Sequence, residues 1–341
     1  MALVGCGFIG RQHALAYRAL AGTLAELVAV CDVDPQRAAA FGTQFGARAY
    51  TDVLDLLASA EVDLVDVATS QDAHEQPVLA AIEAGADVFV EKPLATDLGQ
   101  AERMVRTAEQ RGVRLATNFN RRYGSGYQRA KAFQLDGRFG ALTYLSVRIA
   151  SAFGGNTGPR PAYHAAFDLL IHAADLARFF GGEVVNVSAH HGQQAADGVY
   201  HNLAVSITFA SGAVGSLLVS LDGTRLHPIE RAEIGGRLGH GVVHNVVGGF
   251  DFHPHDTDLA QCWRPQPFGG RERLLQFYPT TIEAHIAGLL EALEARQPPP
   301  VSGADGLAAL RIVFAAIQSA DTGEAVDPSR VVATRQAHAD R

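Results

Sequence analysis

Two places in this 341-residue chain combine residue types that can move a proton. The first is Lys92. Of 28 basic residues only Lys92 and Lys131 are lysine, so arginine is the usual choice wherever a positive charge alone is wanted. Lysine offers something arginine does not, because it can lose its proton inside a protein. Lys92 stands in Glu91-Lys92-Pro93, directly after the apolar run Val88-Phe89-Val90. The following proline fixes the chain direction and opens the chance of a cis bond. The second place is the pair Asp168 and His172. Spaced four apart on a helix, they share one face with Cβ atoms about 5–6 Å apart. A carboxylate and an imidazole so placed can hold an alcohol between them, and imidazole, titrating at about 6.5, suits proton abstraction near neutral pH. An ion pair on a helix surface has the same spacing, since Leu169, Leu170, Ile171, Leu176 and Phe179 can bury the rest of the helix.

A third constellation binds rather than reacts. Gly5-Cys6-Gly7-Phe8-Ile9-Gly10 is a G-x-G-x-x-G turn between an apolar strand and a helix. Gly5 permits the tight turn, Gly7 lets the backbone approach a pyrophosphate, and Gly10 allows close helix packing, while the helix N-terminus offers amide protons to the phosphates. Asp32 ends the next strand, 22 residues past Gly10, where a carboxylate accepts hydrogen bonds from ribose hydroxyls. A carboxylate there repels a 2′-phosphate, so NAD is expected in preference to NADP. Arg37, one turn on, is the one residue placed to soften that preference.

These groups need a parallel sheet to bring them to one edge. Short strands at 2–4, 27–31, 64–68, 87–90 and 114–118 alternate with helices to about 21 and over 34–45, 52–60, 76–84 and 98–110. Strands separated by helices imply right-handed crossovers in a doubly wound α/β domain, whose ligands bind at the carboxyl ends of the strands. After about residue 121 the texture changes. A helix over 126–135 and another over 167–180 accompany strand-like segments at 142–150, 184–189, 203–209, 213–220 and 231–234, which suggests a mainly antiparallel sheet. Helices over 282–295 and 303–320 flank the rigid connector Gln297–Val301, and a polar tail follows Asp327. The expected domains are therefore 1–120, which holds the cofactor turn, and 121–341.

Composition narrows the partners. A net charge of −8 without a basic run argues against nucleic acid, and no apolar run approaches the ~20 residues of a membrane span. A small molecule is the expected partner. Cys6, Cys31 and Cys262 form no C-x-x-C pair, which fits neither a disulfide framework nor a thiolate zinc site. With no basic and apolar leader visible at the start, a cytoplasmic location is expected. Asp251-Phe-His253-Pro-His255-Asp256 has ligand types for a metal, but a chain with 14 histidines gathers such clusters by chance. No metal is expected, there or at His190-His191.

Taken in order, several of these segments resemble one family, the Gfo/Idh/MocA oxidoreductases, over nearly the whole chain. The segments are Gly5–Gly10 with His13, Ala68-Thr69 leading to His74, Glu91-Lys92-Pro93-Leu94-Ala95, Asn118-Phe-Asn120-Arg121-Arg122, Asp168-x-x-x-His172, Pro300–Gly306 and Ala316–Gly323. The resemblance implies a Rossmann domain followed by an α/β domain with a large open sheet that often forms the contacts of a homo-oligomer, a dimer or tetramer. It implies hydride transfer between NAD and a secondary alcohol of a sugar, sugar derivative or inositol. Lys92, Asp168 and His172 would be catalytic, with either His172 or Lys92 as the base. Gly5, Gly7, Phe8, Ile9, Gly10, Asp32, Thr69, His74, Glu91 and Lys92 would line the cofactor. Asn120, Arg121, Arg122, Tyr163 and His164 would join Lys92, Asp168 and His172 around the substrate, one of the arginines reaching it.

The chain also departs from the pattern. Thr69-Ser70-Gln71 replaces a common Thr-Pro-Asn stretch, Tyr163-His164 stands where two glycines are usual, and the first strand is short at its start. The loop Gly154–Tyr163 is expected to shape the pocket. Two other activities share the resemblance: a redox-cycling hydrolase or lyase that keeps its NAD, and a non-catalytic dinucleotide sensor.

Overall fold

A computed structural model describes residues 1–151, 162–223, 229–264 and 270–332, and for 270–278 the backbone alone. Most of the expected pocket loop at 154–163 lies outside the described residues. The chain divides into two compact units, Met1–Asn120 with Ile282–Leu307, and Arg121–Thr281 with Ala308–Val332. The chain passes from the first unit to the second at 120/121, and 282–307 returns to the first.

The first unit alternates β1 (Ala2–Val4), α1 (Phe8–Ala19), β2 (Ala29–Cys31), α2 (Pro35–Phe45), β3 (Arg48–Tyr50), α3 (Val53–Ser59), β4 (Leu64–Val67), α4 (Glu75–Glu83), β5 (Asp87–Glu91), α5 (Leu98–Arg111) and β6 (Leu115–Asn118). All six strands run parallel in the order β3-β2-β1-β4-β5-β6. β1 and β4 are buried throughout, as strands covered on both faces must be. Local chemistry sets the helix ends: Asp34, Asp52 and Asp97 cap α2, α3 and α5, and Gly46 and Gly112 close α2 and α5 in the left-handed region. Strand order reverses between β1 and β4, which is the switch point where this architecture opens a ligand crevice. Ile282, Ile286, Leu289 and Leu290 complete the core against Met1, Tyr17, Leu64, Phe89 and Ala116.

The second unit holds α6 (Ser125–Leu135), β7 (Leu142–Ala150), α7 (Ile171–Gly181), β8 (Val184–His191), β9 (Asn202–Phe209), β10 (Val214–Ser220), β11 (Ile229–Gly236), β12 (Gly239–His244), β13 (Gly249–Pro254) and β14 (Gln261–Trp263). Helices α8 (Gly270–Glu294) and α9 (Gly303–Thr322) follow, each contributing to both units. The eight strands lie in the order β14-β13-β12-β11-β7-β10-β9-β8, antiparallel except for β7 and β10. Side chains alternate along β9, with Leu203, Val205, Ile207 and Phe209 buried and Ala204 and Ser206 exposed.

β3 and β12–β14 are strands beyond those expected, and most of 251–256, weighed above for its metal-ligand types, lies in β13. A single π-helical turn over Ala166–Leu170 precedes α7. The tail after Asp327 begins as packed structure, because Val326 pairs with Val187 and Asp327 caps a short 3₁₀ turn at Pro328–Arg330. No helix among the described residues is long and apolar enough to cross a membrane.

Candidate functional site

The glycine turn has the form a bound pyrophosphate requires. Gly5 adopts φ +103°, and a Cβ on it would sit 2.5 Å from the Ala68 carbonyl oxygen on the neighbouring strand end. A Cβ on Gly10 would fall 1.9 Å from the Gly5 carbonyl oxygen. Gly7 differs: nothing in the protein lies within 4 Å of its would-be Cβ. Two of the glycines thus make the turn possible, and the third faces open space. Gly7 also begins α1 with no side-chain cap, so the first-turn amides of Phe8, Ile9 and Gly10 remain an anion site. These residues fit NAD.

Asp32 is nearly buried, and backbone amides aim its carboxylate. Oδ2 accepts the N–H of Cys6 at 2.9 Å and Oδ1 that of Asp34 at 2.9 Å. Arg37, read above as one turn away, brings Nη1 to 3.5 Å from Asp32 Oδ2 and Nη2 to 3.4 Å from Asp34. Its guanidinium is half exposed. Thr69 follows β4, and its hydroxyl turns back to the Ala73 carbonyl at 3.2 Å.

Lys92 follows β5, and the Lys92–Pro93 bond is cis. The residues on either side face inward. The Glu91 carboxylate accepts from Asn118 Nδ2 at 2.6 Å and from the Lys92 backbone N–H at 3.1 Å, and lies 3.0 Å from His13 Nε2. Burial opposes its charge, but His13, Lys92 and Asn118 outweigh that and hold the carboxyl below its ordinary range. His74 is buried and donates from Nδ1 to the Pro93 carbonyl at 3.0 Å; burial lowers its pKa, so it is neutral. Glu91 and His74 tie the chain on either side of Lys92.

In the second unit, Asp168 lies within the π turn and His172, 3% exposed, in the first turn of α7. The expected regular helix over 167–180 is therefore interrupted at its start. A π turn adds a residue to the helical repeat, so the four-residue spacing is not that of an ideal helix, and such turns recur at functional sites. Tyr163 donates its hydroxyl to Asp321 and packs on Tyr200 at 5.0 Å, while His164 is half-buried beside it. Asn120 is buried at the first unit's last residue. The arginines after it are held by carboxylates. Arg121 Nε meets Glu230 Oε2 at 2.8 Å, and Glu230 also accepts from Tyr127 at 2.8 Å. Arg122 grips Asp175 through Nε and Nη2 at 2.6–3.0 Å. Both side chains thus have carboxylate partners.

The sequence reading gave no role to the buried polar groups beneath Lys92. His13 on α1, Asn118 on β6 and His285 on α8 join Glu91 and Asp66 in one hydrogen-bonded chain. The signal was present in α1, where Gly10, His13, Ala14, Ala16 and Tyr17 are buried and two of the five, His13 and Tyr17, are polar. Asp251 is engaged by His244 at 2.8 Å and by Arg264 Nη2 at 2.8 Å, and no group of three potential metal ligands occurs among the described residues.

Known proteins are similar to this chain over nearly its whole length. The family model described as an oxidoreductase family with an NAD-binding Rossmann fold matches residues 1–119, and that of the GFO/IDH/MocA C-terminal domain matches 127–240. D-apiose dehydrogenase from Paraburkholderia graminis is 32% identical over 339 residues, 96% of this chain and 88% of that protein. Myo-inositol 2-dehydrogenase from Thermotoga maritima is 27% identical over 345 residues, 97% and 98% of the two chains. A crystal structure of an oxidoreductase from Agrobacterium radiobacter in complex with NAD+, L-tartaric acid and magnesium superposes with a TM-score of 0.88 at 27% identity, covering 96% of this chain and 98% of that one.

Proposed function

This chain belongs to the GFO/IDH/MocA oxidoreductase family, and from that premise we propose how its residues divide the work of the reaction. The enzyme is an NAD-dependent oxidoreductase that moves a hydride between the nicotinamide and a secondary alcohol of a sugar, sugar derivative or inositol. One observation supports the assignment of roles above all. Gly5 follows β1, Asp32 follows β2, Thr69 lies just past β4 and Lys92 follows β5, so all four stand at the carboxyl rim of one parallel sheet.

In this proposal Gly5, Gly7 and Gly10, with the amides of Phe8 and Ile9, hold the pyrophosphate, Asp32 takes the adenosine ribose and Thr69 the nicotinamide ribose. Bound NAD supplies the hydride acceptor. His172 takes the proton of the substrate hydroxyl, and Lys92 donates a hydrogen bond to the same oxygen as negative charge develops there. Asp168 orients the substrate or the imidazole. Asn120, Tyr163 and His164 line the substrate, whereas Arg121 and Arg122 support the segment through Glu230 and Asp175.

The named relatives are dehydrogenases, which favours net oxidation over the redox-cycling hydrolase and over the sensor. A panel of sugars and cyclitols that includes D-apiose and myo-inositol, followed with NAD at the NADH absorbance band, tests this reading. NADH formed in step with oxidised product supports it; product without NADH contradicts it.

The open sheet belongs to the same proposal. Tyr144, Val214 and Leu218 are exposed on one face of β7 and β10, around the Ser146–Ser216 contact, and a second copy of the chain would cover them in a dimer or tetramer. A monomeric mass by light scattering would contradict that. A cytoplasmic setting completes the proposal, in keeping with three free cysteines.

A further inference from the structure

The buried chain beneath Lys92 has no task in the reaction as proposed. His13 is fully buried, with Nδ1 2.7 Å from Asp66 Oδ2 and Nε2 3.0 Å from Glu91 Oε1. Tyr17 donates to Asp66 Oδ2 at 2.6 Å, Asn118 Nδ2 to Glu91 Oε1 at 2.6 Å, and His285 Nδ1 to Asn118 Oδ1 at 2.9 Å. Phe89 stacks on the His13 ring and meets His285 edge-on. A neutral imidazole has one N–H and can serve only one carboxylate, whereas the imidazolium serves both; Asn118 Nδ2, 3.2 Å from Nε2, then gives its N–H to Glu91 at 2.6 Å. Burial disfavours the imidazolium charge, yet Asp66 and Glu91 prevail and hold the pKa at about 10.

Buried ion clusters of this kind are weak sources of stability, because desolvation offsets most of their attraction. What this one does hold is geometry. Its last member, Glu91, reaches back with Oε2 to the Lys92 backbone N–H, while His74 holds the Pro93 carbonyl on the other side.

We propose that His13 is a positioning residue for Lys92: by bridging Asp66 and Glu91 it holds the Glu91 carboxylate on the Lys92 amide and fixes where β5 delivers the lysine side chain. The inference rests on the proposed role of Lys92. It carries a specific rescue. In His13→Gln the new amide NH₂ can serve Glu91, but its oxygen then faces the Asp66 carboxylate, acceptor against acceptor. Adding Asp66→Asn supplies an NH₂ to meet that oxygen and closes the chain again.

Having only two lysines makes the test direct. Reductive methylation with ¹³C-formaldehyde labels the two lysines and the N-terminal amine, and Lys131→Arg and Lys92→Met assign the two lysine signals. The full-length protein is studied below the melting temperature of each variant, with sites counted by NADH titration. In His13→Gln the Lys92 signal should move and kcat per NADH-binding site should fall about tenfold, with NADH Kd within about twofold. Both signal and kcat should return in His13→Gln/Asp66→Asn. In a Lys92→Met background, His13→Gln should change the residual rate by less than about twofold, since no lysine remains to be positioned. If His13→Gln does not fold, the isosteric Glu91→Gln should show the same loss of kcat and the same movement of the Lys92 signal.

An unmoved Lys92 signal with wild-type kcat in His13→Gln or Glu91→Gln overturns the inference, as does a further tenfold loss on top of Lys92→Met. Wild-type turnover in Lys92→Met instead contradicts the role of the lysine itself. The two failures are therefore distinguishable.

Discussion

The carboxylate of Asp32 accepts the backbone N–H of Cys6 at 2.9 Å, so the acid that closes β2 is tied to the middle of the glycine turn. In the proposed role this carboxylate takes the ribose hydroxyls, and its charge would repel a 2′-phosphate. Asp32→Ser removes the ribose acceptor and that charge, and Arg37, 3.5 Å away, becomes the dominant charge nearby. A hydrogen bond to a charged group is worth about 1.5–3 kcal/mol, so kcat/KM for NAD should fall about 10–100-fold while NADP gains relative to it. Steady-state kinetics with both cofactors decides; an unchanged ratio contradicts the role of Asp32.

Gly7 and Gly10 should separate binding from folding. A methyl on Gly7 meets no protein atom, whereas one on Gly10 strikes the Gly5 carbonyl. Gly7→Ala should keep the melting temperature of the apo protein and weaken NADH binding by about tenfold or more, because the methyl fills the approach to the pyrophosphate. Gly10→Ala should lower the melting temperature itself. Calorimetry with NADH titration would count against this account if Gly7→Ala bound NADH normally.

Arg122 and Asp175 form a buried bidentate pair, Asp175 only 1% exposed. Arg122→Ala leaves that carboxylate without its main partner, which costs about 3–5 kcal/mol for a pair of this kind. Urea denaturation should show the loss, and Arg122→Lys should recover only part of it because an ammonium cannot grip both oxygens. If Arg122→Ala kept full stability and lost substrate affinity instead, the arginine would belong to the pocket.

Protonation of His13 has a defined sign. Its folded pKa, about 10, lies above the ordinary 6.5, so its contribution to stability is complete below about 6.5 and is lost as pH rises through about 10. Glu91 is the opposite case, lowered on folding, and its contribution is lost as pH falls through its folded value. Unfolding free energy measured from pH 6.5 to 10 should therefore decline in the wild type and lose that component in His13→Gln. Equal slopes would mean the ring is not an imidazolium.

Much of the first unit was legible because each crossover is punctuated: Asp34-Pro35, Asp52 and Asp97 start helices, and Gly46 and Gly112 end them. β3 escaped because it is three residues long with Arg48 and Ala49 exposed. β13 did carry an alternating signal, Phe250 and Phe252 inward with Asp251 and His253 between them, but its polar half looked like a ligand cluster. For Glu91 and His74 the sequence places the residue at the rim, and only the fold shows which partners its side chain takes there. The π turn at 166–170 is invisible to spacing, since a one-residue insertion in the helical repeat leaves the apolar pattern of 167–180 intact.

The most direct measurement pairs Lys92→Met with His172→Ala, each assayed for turnover with NAD and the best polyol of the panel and for NADH affinity by fluorescence. Proton abstraction by one group and charge stabilisation by the other predict that kcat falls about 100-fold or more in each, with NADH Kd within about twofold. Wild-type turnover in either variant, with the cofactor still bound, would contradict the assignment.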